Sequence, residues 1–159
     1  MIKNTSIDKF DLFDLVGLSK ISLEQKNKHL DRLENLIIQE FFIQLILQLD
    51  NKEEIKKINL MLKEKQNLKN VFTYITKNYP DFYEKFIDFI REKKAEFITD
   101  YFQSGIKDCK DKIDLALKNN VSEKTKIDLK KKLDLYLQAH QLSEEESWEK
   151  LFSLNKSSV

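Results

Sequence analysis

The chain has 159 residues, and 28 Lys and Arg against 27 Asp and Glu leave a formal net charge of +1. That balance gives no long-range field for steering nucleic acid or anionic lipid. Two Gly and one Pro are too few for the tight turns and corners of a sheet-based fold.

Apolar residues recur with helical spacing along the whole chain, so an all-α bundle of about six or seven helices is expected. A chain of this length buries roughly two thirds of its unfolded surface, enough to need no metal or disulfide. The single Cys109 has no internal disulfide partner, which fits a reducing compartment. The first residues, Met1 to Phe10, lack the apolar core of a signal peptide. Residues 36 to 49 are apolar but interrupted by Gln39, Glu40, Gln44 and Gln48, and are shorter than the ~20 residues of a membrane span. A soluble, cytoplasmic protein is expected.

Residues 7 to 16 place Phe10, Phe13, Leu15 and Val16 on a short helix, which Gly17 ends in the left-handed conformation. Ser22 and Gln25 form a capping box, opening a helix from about Leu23 to Leu49 that Asp50 and Asn51 break. Because its second half is apolar around most of its circumference, it is expected to be the central rod, covered on several sides. Ile55, Ile58, Met61 and Leu62 mark the next helical segment, and Val71, Phe72 and Ile75 a further one behind Leu68. Gln66 and Asn67 are a weak break, so one helix or two remain open over residues 53 to 78. Pro80 ends that stretch.

Asp81 and Glu84 repeat the cap pattern ahead of Phe82, Phe86, Phe89, Phe97, Tyr101 and Phe102. Ser104 and Gly105 are expected to stop or kink this helix. Asn119 and Asn120 make a turn, and Ser122 caps a helix carrying Ile127, Leu129, Leu133, Tyr136 and Leu137. Ser143 and Glu146 read as a capping box for a last helix with Trp148, Leu151, Phe152 and Leu154. The expected division is a compact domain over residues 1 to 104 and a helical extension over residues 106 to 159.

No chemical constellation stands out. Cys109 lies in the polar run Lys107 to Asp111, where a surface or half-buried thiol without a base is expected. His29 and His140 follow Lys26 and Leu137 at the position where a helical di-metal site needs a carboxylate. Glu40 is the one acid inside the apolar rod: a buried carboxylate there would need a partner or a raised pKa and be a functional candidate, and the bland alternative is a narrow wet face shared by Gln39, Glu40, Gln44 and Gln48. Lys124, Lys126, Lys130, Lys131 and Lys132 alternate with Glu123, Asp128 and Asp134 and read as a solvated helix face. The aromatic set reads as core, with a ligand cavity as the alternative. No catalytic, cofactor-binding or metal-binding residue is assigned.

Between Asp11 and Phe102 the order of features resembles an uncharacterised family of small, all-helical proteins from candidate-phyla bacteria with reduced genomes. The residues that carry the likeness are Leu15-Val16-Gly17-Leu18, the capped helix from Ser22 through Leu36-Ile37-Ile38 to Leu45-Ile46-Leu47-Gln48-Leu49, the acidic start at Glu53, and Tyr79-Pro80-Asp81-Phe82 before Ile87 to Phe97. The resemblance implies a fold and no activity, so it brings no functional residue, cofactor or metal with it.

The expectation for function is a non-enzymatic protein-interaction or structural module, binding a protein partner or self-associating, without nucleic acid or a membrane span. The alternative is a small apolar-ligand or lipid binder using an aromatic-lined cavity between residues 36 to 49 and 82 to 102. An enzyme would need acids such as Glu40 and Glu84 to converge in one cleft.

Overall fold

A computed structural model describes residues 6–63 and 68–157. Among them are seven α-helices and a short 3-10 turn at Ile7–Lys9, with no strand. The helices are α1 (Leu12–Leu15), α2 (Leu23–Gln48), α3 (Lys52–Lys63), α4 (Leu68–Asn78), α5 (Phe82–Lys118), α6 (Glu123–Glu144) and α7 (Trp148–Ser157). The all-α expectation and the number of helices hold. The weak break expected at Gln66 and Asn67 lies outside the described residues.

Contacts divide the chain into two compact units, Met1–Ser22 with Arg91–Val159, and Leu23–Ile90. The longest helix is α5, at 37 residues, and the boundary expected at residue 105 falls in its interior. Gly105 does not stop it. A Gly inside a helix costs roughly 1 kcal/mol against Ala. Here the missing side chain is what lets the ring of Tyr136 on α6 lie against the backbone, since a Cβ at Gly105 would sit 2.7 Å from Tyr136 Cε2.

Three helices do end on a left-handed residue, as backbone sterics require for a sharp reversal. Gly17 has φ +72°, Asn120 φ +47° and Glu146 φ +51°. Behind each, the next amide reaches back over the last turn: Leu18 N–H donates to Phe13 O (2.7 Å), Val121 N–H to Ala116 O (3.3 Å) and Ser147 N–H to Leu142 O (2.9 Å). The third corrects the reading of Ser143 to Glu146 as a capping box. Ser143 is a buried residue of the last turn of α6, its Oγ donating to His140 O (2.7 Å) and accepting from Thr99 Oγ1 (3.1 Å). The hydroxyl therefore serves the end of one helix and not the start of the next. Ser122 caps α6 as expected, accepting from Thr125 N–H at 3.3 Å. Asp11 and Asn51 cap α1 and α3 in the same way.

In the unit Leu23–Ile90 the core is aromatic. Phe41 of α2 lies 5.1, 4.9 and 5.2 Å from the rings of Phe82, Phe86 and Phe89, while Phe42 meets Phe72 at 5.7 Å. Ile37, Val71 and Ile75 complete it. In the other unit Leu12, Phe13, Leu15, Ile98, Phe102, Cys109, Ala139, Trp148 and Leu151 are buried. Buried Asn155 of α7 donates to Leu15 O at 2.7 Å, fixing α7 to α1. The expected aromatic set is thus shared between two separate cores.

Candidate functional site: an exposed apolar stripe on α2

The expected rod is present as α2, but it is covered on one side only. Ile37, Phe41 and Phe42 are buried, whereas Leu36, Ile43 and Leu47 are 63%, 58% and 80% exposed. At about 100° per residue, these three fall on one stripe, opposite the buried face, with Glu40 between Leu36 and Ile43. Gln39, Glu40, Gln44 and Gln48 are all exposed, as the wet-face reading expects, but the apolar Leu36, Ile43 and Leu47 are exposed with them, so the wet face is wider than expected. The physical reason is that Ile37, Phe41 and Phe42 on one side of α2 already fill its own unit's core. Apolar sequence around a helix shows what could be buried, and packing decides which side is.

The residues weighed for chemistry do not assemble into a cleft. Cys109 is 1% exposed, which corrects the expectation of a surface or half-buried thiol. The polar run around it lies on the outer faces of α5, and the thiol points the other way. It is a free cysteine near the paired rings of Phe102 and Tyr136, 6.1 Å apart. Burial raises the phenol pKa values of Tyr101 and Tyr136 above the ordinary tyrosine value. His29 is exposed on α2, and Glu40 and Glu84 are exposed as well. His140 Nδ1 stands 3.5 Å from Glu144 Oε2 one turn further along α6. Among the described residues, no group of three or more His, Cys, Asp or Glu is placed to hold a metal ion. Of the basic run on α6, Lys126 pairs with Glu123 at 2.7 Å.

Two polar clusters escaped the sequence reading. In the unit Leu23–Ile90, the hydroxyls of Tyr74 and Tyr79 both donate to the Glu54 carboxylate, at 3.1 and 3.2 Å. Lys57 Nζ lies 4.4 Å above the Tyr74 ring. Burial, and after it the Glu54 charge, raises the Tyr79 pKa. This cluster ties α3 to α4 and to Tyr79 just behind it. In the other unit, Lys94 Nζ donates to Ile7 O (3.0 Å) and Phe10 O (2.6 Å), and Arg91 Nε is 2.6 Å from Asp8 Oδ2. Together they hold the segment before α1 against α5. Such long-range pairs carry no local sequence signal, because nothing near Lys94 specifies which distant carbonyls it will meet.

An open groove of about 630 Å³ runs beside the same segment. Glu92, Glu96, Asp100, Glu144 and Glu146 line it, with Glu96 held by Lys93 at 2.7 Å. No helix among the described residues is long and apolar enough to cross a membrane. Compared with protein-family models, curated proteins and solved structures, the chain matches none of them.

Proposed function

We propose that the chain is a non-enzymatic helical interaction module of the cytoplasm, which engages a protein partner through the exposed stripe of α2. The observation that carries this reading is the alignment of Leu36, Ile43 and Leu47 on one face while the opposite face closes a core. Burying a large aliphatic side chain gains roughly 1.5–3 kcal/mol, a gain the folded chain leaves unused three times on one helix. Scattered exposed leucines need no explanation, but aligned ones mark interfaces. Docking of one helix on another uses this same spacing over successive turns. The resemblance over residues 11 to 102 concerns a family without assigned activity and adds no residue role.

The ligand-binding alternative has less support. Between α2 and the start of α5, Phe41 packs against Phe82, Phe86 and Phe89, which favours a filled core there over a ligand cavity.

The immobilised 159-residue chain, exposed to a native cytoplasmic extract, tests the module against its Ile43→Lys variant. Ile43 is exposed, so the variant should keep its helical spectrum and melting temperature. Proteins retained by the natural chain and lost with the variant support the interface. Identical capture by both removes α2 from it.

A further inference from the structure

We infer that the small pocket where the end of α1 meets the end of α7 binds a zwitterion, a free α-amino acid, with its ammonium on Asp14 and Asn155 and its carboxylate on Lys156. Asp14, Gly17, Ser19, Asn155 and Lys156 line this pocket, and all five belong to the unit Met1–Ser22 with Arg91–Val159. Nothing in this site depends on the α2 stripe.

Asn155 carries the inference. Its side chain belongs to a residue only 8% exposed, and its amide nitrogen is spent on Leu15 O at 2.7 Å. That bond fixes which way the amide is turned and leaves Oδ1 as the acceptor on the other side. A Cβ on Gly17 would stand 3.5 Å from Oδ1, so the oxygen is turned toward the glycine that lines the pocket. Among the described residues no donor reaches it. None of their side-chain polar atoms is both sealed from solvent and unpartnered, so Oδ1 opens into the pocket. A polar atom this deep calls for a donor, and the chain supplies none.

Charge defines what that donor belongs to. Asp14, half-buried in the last turns of α1, makes no ion pair through its carboxylate among the described residues. Lys156 holds its Nζ 4.3 Å from the centre of the Phe152 ring and is likewise in no ion pair among them. A carboxylate and an ammonium therefore line one small space without joining each other. The first only accepts and the second only donates, so their common complement has an ammonium at one end and a carboxylate at the other. An ammonium brings three donors, enough for Asp14 and the spare oxygen of Asn155 together. Such charge-assisted bonds are about twice as strong as neutral ones. The hydroxyl of exposed Ser19 is a second donor for the ligand's carboxylate.

Size agrees with this chemistry. The space is about 190 Å³, below the ~300–1,000 Å³ of sites for drug-sized ligands and well above the ~10–15 Å³ of one water. A molecule of a few non-hydrogen atoms falls between those limits. Water answers Oδ1 but neutralises neither charge.

Calorimetric titration of the 159-residue chain with glycine, L-alanine and L-serine to about 10 mM, with amide NMR shifts on the same samples, tests the site. Saturable shifts at Gly17, Ser19 and Asn155 are expected with at least one of the three. Acetate and methylammonium, each half of the zwitterion, should bind at least about tenfold more weakly. Asp14→Asn and Lys156→Met should each weaken binding by about tenfold or more. Met keeps an apolar stem over Phe152, and melting temperatures equal to the natural chain's show that both variants fold. If either melts early, the half-ligand comparison on the natural chain still decides. No saturable shift with any of the three amino acids overturns the inference, as do shifts confined to other residues. Half-ligands as strong as the whole, or folded variants that bind as well as the natural chain, overturn it too.

Discussion

The backbone of Gly105 and the ring of Tyr136 lie so close that a single added methyl group at residue 105 would stand 2.7 Å from Cε2 and 2.8 Å from Cδ2. The ring is itself held, against Phe102 at 6.1 Å and under Lys132 Nζ at 5.6 Å. Gly105→Ala in an ordinary helix interior would stabilise by roughly 1 kcal/mol. Here the overpacking should outweigh that gain and destabilise by about 1–3 kcal/mol. Urea denaturation checks the sign. In a Tyr136→Ala background the same substitution should become neutral or stabilising, since the obstructing ring is gone.

Phe41 and Leu47 share α2 and face opposite ways. Phe41→Ala removes the ring that touches Phe82, Phe86 and Phe89, and should cost about 3–5 kcal/mol. Leu47→Ala, at a position 80% exposed, should change the stability of the monomer by no more than about 0.5 kcal/mol. Equal losses in thermal or chemical denaturation would show that α2 is covered on both sides.

Cys109 should be inert in the folded chain. A thiol reagent should label it only as fast as the protein opens, and promptly once denaturant is added. Cys109→Ser places a hydroxyl where the thiol is 1% exposed, and should destabilise by about 1–3 kcal/mol. Rapid labelling under native conditions would contradict the burial.

Asp8 makes stability depend on acid in a defined direction. Partial burial pulls its pKa up, but hydrogen bonds from Arg91 and Ser6 and the charges of Arg91 and Lys94 outweigh this and hold it below 3.8. A carboxylate whose folded pKa is depressed contributes fully above its unfolded pKa, and the contribution is lost as pH falls through the folded value. The pair with Arg91 is nearly half exposed on both sides, so solvent screening limits it to about 1 kcal/mol or less. Asp8→Asn should therefore be slightly less stable than the natural chain at neutral pH. The gap between their denaturation curves should close as pH falls below the ordinary carboxylate range, and a gap that persists there would remove Asp8 as its source.

Where the helices start was legible wherever a cap is local. Ser122 sits beside the amide it bonds, and α2 starts at Leu23, directly after Ser22. The stop at Gly17 was legible for the same reason, since φ +72° is cheap only for a residue without Cβ. The two misread positions are instructive because each resembles a local signal and serves a distant contact. Gly105 makes room for Tyr136, thirty-one positions on, and Ser143 takes its second bond from Thr99 on another helix. Neither partner can be inferred from the neighbouring residues.

The candidate site was half legible. That residues 36 to 49 hold more apolar surface than one face requires is plain in the sequence. Which residues would remain outside is not. The order of residues by itself determined that the chain is helical, roughly where its helices begin, and that α2 carries surplus apolar surface, because caps, periodicity and the shortage of Gly and Pro act over one or two turns. Tertiary structure alone decided that Gly105 lies inside α5, that Cys109 is buried, and that Leu36, Ile43 and Leu47 are left outside while Phe41 is enclosed. Those outcomes depend on which faces meet across long stretches of chain, and a helix apolar on two sides offers either one until its neighbours fill one of them.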